Sequence, residues 1–524
     1  MGRLLSMSQP LTQSPFLRRS IWLIAAVFVF RLIYAWLLPV NPAGDEAYYW
    51  DWGRQLDYGY YSKPPFIAWL YAFVDWIGQG SLFGIRATAA VLGTASVLLL
   101  YFLTAALFDP KTGWIAVILG LVAPANSVLS FFLTIDAPLV FTWSTALWML
   151  WRYLSGKGGT GTLIVLLFAL GIGHLSKQMM MIFPVLAVVY LALHKDTRHH
   201  LKRPELLLTL FGSYLFLAPP LIWNAQNEWI TFQHTGHHFE AHEGEGAMFT
   251  ERVIGFFSFF GSQFGVLSPV TAFLAYSLCI PGLFIIRKVE APIRYCLTFS
   301  AIPLAGLLLL AMRQELQPNW PAVFYVSALS LTAGWYTGAV TLFKFPPVAW
   351  RKLFPITVSI GLLLTFYFYA GPAFFRAIGK PGHKADPERR LMSHDLVINK
   401  VESIRRSQSD GDDLFLVALG HRDLISHLSF GLPDQPRVYG WHGQDKILSQ
   451  YDLWPNPQDD GNTGKNGLIV RWGSKAALPD KVADAFTSVK KLEEFTIPFG
   501  YNTERTYTVF RGERLKSWPE NGSK

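Results

Sequence analysis

The stretch NPAGDEAYYWDWGRQLDYGYYSKPPFIAWL, residues 41–70, separates the first long apolar run of the chain from everything that follows. It brings two adjacent carboxylates, Asp45 and Glu46, several Tyr and Trp rings and a Lys63-Pro64-Pro65 turn into one short segment. Asp45 precedes the run AYYWDWGRQL, and Asp is a favoured helix N-cap, so a short amphipathic helix is expected. The two prolines fix the backbone and hold Lys63 on a rigid turn. A plain connector between apolar segments would be shorter and less aromatic, so this one reads as a built loop at a membrane face.

Composition supports that setting. Of 524 residues, 51% are hydrophobic and only 15% charged, against roughly 25% charged in soluble domains. Nineteen Trp, 21 Tyr and 40 Phe suit lipid-facing walls and interfacial aromatic belts. The formal charge of +9 does not point to nucleic acid, because the basic residues sit mainly in short connections between apolar runs. Cys279 and Cys296 both fall in apolar runs, where a thiol acts as a small hydrophobe. The expected class is an all-α polytopic membrane protein.

The run Ile21–Leu38 is longer than the roughly 7–15 residues of a cleaved signal, so it is expected to remain as the first span. Arg31 inside it is read as a packing anchor. Further runs at 84–108, 113–130, 137–153, 162–174, 178–194, 205–223, 264–286, 295–312, 319–340 and 353–371 bring the total to about 11 spans. Two of them, 162–174 and 178–194, are short for a bilayer that asks for about 20 residues, so they could form one broken hairpin. One alternate set of connections holds Arg3, Arg18, Arg19, Lys111, Arg152, Lys157, Lys195, Arg198, Lys202, Arg203, Arg287, Lys288, Arg294, Lys344, Arg351 and Lys352. The other holds only Arg54, Lys63, Lys177, Arg252 and Arg313. The positive-inside rule places the first set in the cytoplasm, giving an N-in, C-out chain. Every polar group suited to chemistry then collects on the outer, periplasmic side.

Composition changes after residue 371. The tail, 372–524, has short strand-like runs at Asp413–Leu419, Gly467–Trp472 and Arg505–Arg511, and reads as a small α/β domain on the outer side, separate from a membrane domain of 1–371.

Each candidate group has a plainer alternative. Asp45 and Glu46 could act as general base and hydrogen-bonding partner, or merely cap a helix. Lys63 could stabilise a departing phosphate, or snorkel at the interface. Asp136, in the apolar context FFLTIDAPLVF, could contact substrate or metal, or start a helix. Lys177 and Gln178 lie between the two short runs, where helices that stop early often line a cavity, and read as a second phosphate contact. The loop 224–252 carries His234, His237, His238 and His242 with Glu240, Glu243 and Glu245. Its Gly-rich irregular spacing favours substrate contact or a lid over zinc. Arg313, Gln314, Glu315, Gln317 and Asn319 could meet a phosphate or sugar, or cap a helix.

With these residues placed, GDEAYYWDWGRQLDYGYYSKPPFIAWL, TIDAPLVF, SKQMM, LIWNAQNEWITFQH and QPNWPA, in that order, resemble the bacterial membrane glycosyltransferases related to the dolichyl-phosphate-mannose protein mannosyltransferases. That superfamily includes the aminoarabinose transferases of lipid A. The similarity covers roughly residues 20–370, and HLSFGLPDQPRVYGW with QYDLW resembles the outer domain of bacterial members. The resemblance implies a GT-C helical bundle with an outward cavity and a polyprenyl-phosphate sugar as donor. It also implies a catalytic carboxylate at Asp45 with Glu46 beside it, a phosphate-contacting lysine at Lys63 and a second outer-loop carboxylate at Asp136. In the aminoarabinose transferases a glutamate that takes part in a metal site precedes the lysine. Ser62 stands there in this chain, which lowers the expectation of metal.

The expected function is inverting transfer of a sugar from polyprenyl (undecaprenyl) phosphate to an envelope glycolipid, glycan or protein at the outer face of the cytoplasmic membrane. Asp45 and Glu46 would be catalytic, while Lys63, Asp136, Lys177, Gln178, Tyr48, Tyr49, Tyr61, Arg313, His237 and His238 would bind substrate or phosphate. No cofactor is required; a divalent metal is a secondary option. The expected partners are the lipid-borne donor, membrane lipid and the acceptor, with no nucleic acid. The rivals are a flippase for lipid-linked sugars, disfavoured because the carboxylates cluster at one face rather than at mid-membrane, and an outer-face glycan polymerase or ligase.

Overall fold

A computed structural model describes residues 14–38, 40–237, 249–342, 352–444, 446–474 and 477–519. The chain forms two compact units. The first comprises Met1–Leu37, Lys63–Ile67 and Phe83–Phe368; the second comprises Leu38–Ser62, Ala68–Leu82 and Tyr369–Lys524.

The N-terminal part runs through α1 (Pro15–Leu37), α2 (Gly44–Gly53), α3 (Phe66–Gly78), α4 (Leu82–Leu107), α5 (Pro110–Leu121), α6 (Pro124–Leu129), α7 (Asp136–Leu154), α8 (Thr160–Ser176) and α9 (Ile182–Leu193). Local chemistry sets the breaks. Asp109 caps α5, accepting from the Thr112 N–H at 3.0 Å and the Thr112 hydroxyl at 2.6 Å, while Pro110 takes the first helical position. Five helices among the described residues are long and apolar enough to cross a membrane, or six if one bent pair is a single span. Shorter apolar helices, α3, α5, α8 and Gln178–Leu193, lie among them.

The apolar run at 264–286 is not one straight element. Helices Phe249–Leu267 and Pro269–Gly282 meet at Ser268, whose φ is 76°, and the pair bends by 117°. Pro269 has no N–H for a continuing ladder, and a left-handed residue before it turns the chain. Hydropathy is blind to both effects.

The core of the first unit is aromatic and aliphatic. Trp143 is wholly buried, edge-on to Phe183 at 5.0 Å and to Phe324 at 5.4 Å. All residues of the Phe324–Thr337 helix except Thr337 are buried, so it is packed all round rather than on one stripe. Gly338 ends it in the left-handed conformation, φ 80°, as a C′ glycine does. In a bilayer, burial of such side chains adds little over lipid contact, so close packing carries the association.

The second unit contains a five-stranded sheet in the order β2-β1-β3-β5-β4. Its strands are β1 (Phe415–Leu419), β2 (Val438–Trp441), β3 (Gly467–Trp472), β4 (Phe486–Pro498) and β5 (Glu504–Leu515). β1 pairs in parallel with β2 and β3, while β5 runs antiparallel to β3 and β4. β1 is buried throughout, as expected of a central parallel strand. β4, at the sheet edge, carries charged residues and a bulge between Lys491 and Glu493, both common guards against edge pairing. An Arg511–Asp410 fork ties the tail of the sheet to the loop before β1, with Nη2 to Oδ2 at 2.9 Å.

Hydrogen bonds from Arg511 and Asn466 hold the Asp410 carboxyl down at about 2. A depressed folded-state value means that the pair's stabilisation is present above the unfolded value near 4 and is lost as pH falls toward 2. Thermal unfolding of the wild type should therefore drop more steeply between pH 4 and 2 than that of Asp410→Asn. Parallel curves would contradict this.

Candidate active site

In the second unit, α2 begins at Gly44, so Asp45 lies in its first turn rather than at the cap. The orphan N–H of Ala43 is instead taken by Glu46, whose Oε2 accepts it at 2.9 Å, and Glu46 is fully buried. Asp45 is thereby free for other work. Its Oδ1 accepts from Arg422 Nη2 at 2.8 Å, and its side chain is 46% exposed. No hydrogen bond among the described residues reaches Oδ2.

Arg422 opens the Arg422–Gly431 helix, and its guanidinium lies 4.4 Å from the centre of the Tyr48 ring. Burial works against its charge, but Asp45, Tyr48, Tyr49 and Asp423 raise its pKa above the usual arginine value. Gly44 permits close approach here, since a Cβ would sit 2.7 Å from Asp423 Oδ1.

The aromatic residues of α2 seat this turn. The Tyr48 hydroxyl accepts the Gln450 N–H at 2.6 Å, and Tyr48 rests edge-on to Trp52 at 4.8 Å. Tyr49 is buried, 5.1 Å from Trp52 and 6.4 Å from Tyr71. The Tyr61 N–H donates to Gln450 Oε1 at 2.7 Å and its hydroxyl to the Ile447 carbonyl at 3.1 Å. Tyr451 donates to Asp51 Oδ2 at 2.9 Å; burial pushes the Asp51 carboxyl up despite this bond and Arg54. Burial likewise drives the Tyr48 phenol far above its ordinary range, so it stays protonated. These tyrosines position the site rather than titrate in it.

The first unit carries a different cluster. Asp136 stands in the first turn of α7 and is 4% exposed. Lys177 Nζ meets its Oδ1 at 2.7 Å and Asn319 Nδ2 its Oδ2 at 2.6 Å, so both oxygens are engaged. Lys177 ends α8 in extended backbone, and Gln178 opens the 3-10 turn Gln178–Met181. Arg313 is exposed beyond the Ala291–Ala311 helix, and the amide oxygen and nitrogen of nearby Gln314 are buried without a partner among the described residues. Lys63 belongs to this unit and is partly buried just before α3. His237 ends the Ile230–His237 helix, but its side chain lies outside the described residues, as do His238, Glu240, His242, Glu243 and Glu245.

Ser62 is buried ahead of Lys63, and no three His, Cys, Asp or Glu side chains gather among the described residues. No step is assigned to a metal.

The sequence reading passed over Arg422. The only hint lay in the nearby segments HLSFGLPDQPRVYGW and QYDLW; the latter supplies Gln450 and Tyr451. Arg422→Met should lower turnover by up to about 10²-fold through loss of Asp45 positioning, with KM little changed and partial retention in Arg422→Lys. Steady-state kinetics would check this, and unchanged turnover in Arg422→Met would contradict it.

Comparison with known proteins finds a family profile and two similar proteins. The family profile described as dolichyl-phosphate-mannose-protein mannosyltransferase matches residues 62–223, a span that holds Lys63, Asp136 and Lys177 but not Asp45. The curated lipid A galacturonosyltransferase RgtD of Rhizobium johnstonii is 25% identical over 399 residues, covering 75% of this chain and 79% of its own. The crystal structure of ArnT from Cupriavidus metallidurans in the apo state superposes with a TM-score of 0.57 at 14% identity, covering 93% of this chain and 97% of the other, which establishes a shared fold. The chain is accordingly similar, over part of its length, to membrane glycosyltransferases of the dolichyl-phosphate-mannose-protein mannosyltransferase type, and it shares the ArnT fold.

Proposed function

We propose that the protein transfers a sugar from a polyprenyl phosphate to a lipid A-type glycolipid at the outer face of the cytoplasmic membrane, with inversion at the anomeric carbon. The observation that carries this reading is the state of Asp45: one carboxylate oxygen held by Arg422, the other without a hydrogen bond among the described residues, on a side chain 46% exposed. Asp136, with both oxygens engaged and its side chain 5% exposed, is poorly placed to take a proton. Asp45 removes the proton of the acceptor hydroxyl as that oxygen attacks the anomeric carbon. The bond to the phosphate oxygen breaks on the opposite face, and the leaving group departs as a weakly basic phosphate that needs charge stabilisation rather than a proton. The resemblance, rather than the geometry, assigns that charge to Lys63. Glu46 holds the helix turn.

The likeness to the lipid A galacturonosyltransferase supports the glycolipid acceptor. The bias of Lys and Arg toward one set of connections supports an N-in, C-out topology, with 1–371 in the membrane and 372–524 outside. Mass spectrometry of envelope glycolipids from cells with and without the gene tests the proposal. Loss of one glycosyl unit from lipid A or its core is expected on deletion. An unchanged glycolipid profile would overturn the glycolipid acceptor.

A further inference from the structure

A cavity of about 420 Å³ opens in the first unit among the C-terminal ends of α7 and α9, the 196–203 connection and the first turn of the Ala291–Ala311 helix. Its volume falls in the range of small-ligand sites. Nothing in the glycosyl-transfer reading uses it, and it sits at the ends of these helices that carry the lysine- and arginine-rich connections.

Its lining is basic and incompletely satisfied. Arg294 is 2% exposed; its Nη1 donates to the Val289 carbonyl at 3.1 Å, but its Nε is buried without a partner among the described residues. His200 is 7% exposed, and its Nδ1 likewise has no partner among them. Arg203 and His199 join them, with the Tyr153 and Tyr190 rings between. A buried donor left unmade costs about 1–3 kcal/mol, more for a charged group, so Arg294 Nε calls for an acceptor, to which His200 also donates in its Nδ1–H tautomer. The acids nearby are already occupied. Asp196, the one carboxylate in the lining, is 70% exposed and pairs with His194 at 3.3 Å. Glu205 accepts from the Tyr153 hydroxyl at 2.8 Å. Burial, with His199 and Arg203 alongside, holds the His200 imidazole at about 4, so the ring is neutral and the positive charge of the lining rests on Arg294 and on Arg203, which Glu205 partly balances.

We infer that this cavity is a second binding site, for a phosphate group, with Arg294, Arg203 and His200 as its donors. Basic pockets between membrane helices at the cytoplasmic surface suit anionic headgroups, and a phosphate offers the several acceptor oxygens these donors lack. The site stands independently of the proposed donor and acceptor.

The test uses the detergent-solubilised full-length protein. Binding of short-chain phosphatidic acid is compared with the matching diacylglycerol, which differs only by the phosphate, and with inorganic phosphate. Saturable binding of phosphatidic acid but not diacylglycerol is expected, weakened at least tenfold by Arg294→Gln and by Arg203→Gln, and unchanged by Lys157→Gln outside the cavity. Arg203 is exposed, so its variant should fold even if Arg294→Gln does not. Full competition by millimolar inorganic phosphate would support a free-phosphate site, and failure to compete a headgroup site. Equal binding of diacylglycerol, or wild-type affinity in Arg203→Gln, would overturn the inference.

Discussion

Asp45→Asn should lower turnover by about 10²–10⁴-fold while leaving the KM for the donor nearly unchanged, the loss expected when a positioned general base is removed. Asn keeps an oxygen for Arg422 Nη2, which now meets Asp45 Oδ1 at 2.8 Å, so the first turn of α2 should survive. What disappears is the carboxylate's charge and with it the proposed base. Arg422 loses its counterion, and its ring contact with Tyr48 together with the neighbouring Asp423 limits the cost to stability. Glu46→Gln should behave differently, because Glu46 is buried on the Ala43 N–H; its change should appear in thermal stability before turnover. Transfer by Asp45→Asn at more than a tenth of the wild-type rate would remove Asp45 from the mechanism.

Lys177→Met should destabilise the membrane unit by about 3–5 kcal/mol, because it leaves the Asp136 carboxylate buried with only Asn319 to hold it. Adding Asp136→Asn to that variant should recover much of the loss, since a buried pair often contributes little net stability relative to a neutral, shape-matched replacement. Apparent unfolding temperatures in detergent for the wild type, both single variants and the double variant complete the cycle. The outcome also separates two roles for Lys177. A structural partner of Asp136 shows the recovery. A lysine used only on the donor phosphate would raise the donor KM with no change in unfolding temperature, and that pattern would contradict the pairing.

The parts of this protein set by local chemistry were legible in its sequence. The helix beginning just past Pro64-Pro65 follows from the prolines, and β1, β3 and β5 from short apolar runs; the short helix after Pro42 was expected too, but it is buried along Glu46–Trp52 rather than amphipathic, and Asp45 does not cap it. The parts set by distant contacts were not. Asp45 meets Arg422 across 377 positions of sequence, and Tyr48 meets Gln450 across 402. No spacing rule joins them, so Asp45 read as either a cap or a base, and Arg422 did not read at all. β4 escaped notice because its alternation is filled with Lys and Glu, as suits an edge strand. The merged run at 264–286 has the opposite cause: both helices are apolar, and only the backbone at Ser268-Pro269 divides them.

A single displacement driven by one carboxylate must invert the sugar, and this gives the most direct test. The purified protein is supplied with a polyprenyl-phosphate sugar of known anomeric configuration and a lipid A acceptor, and the product linkage is assigned by NMR coupling constants. The expected product carries the opposite anomeric configuration to the donor. Retained configuration would require two successive displacements and would contradict a lone base at Asp45.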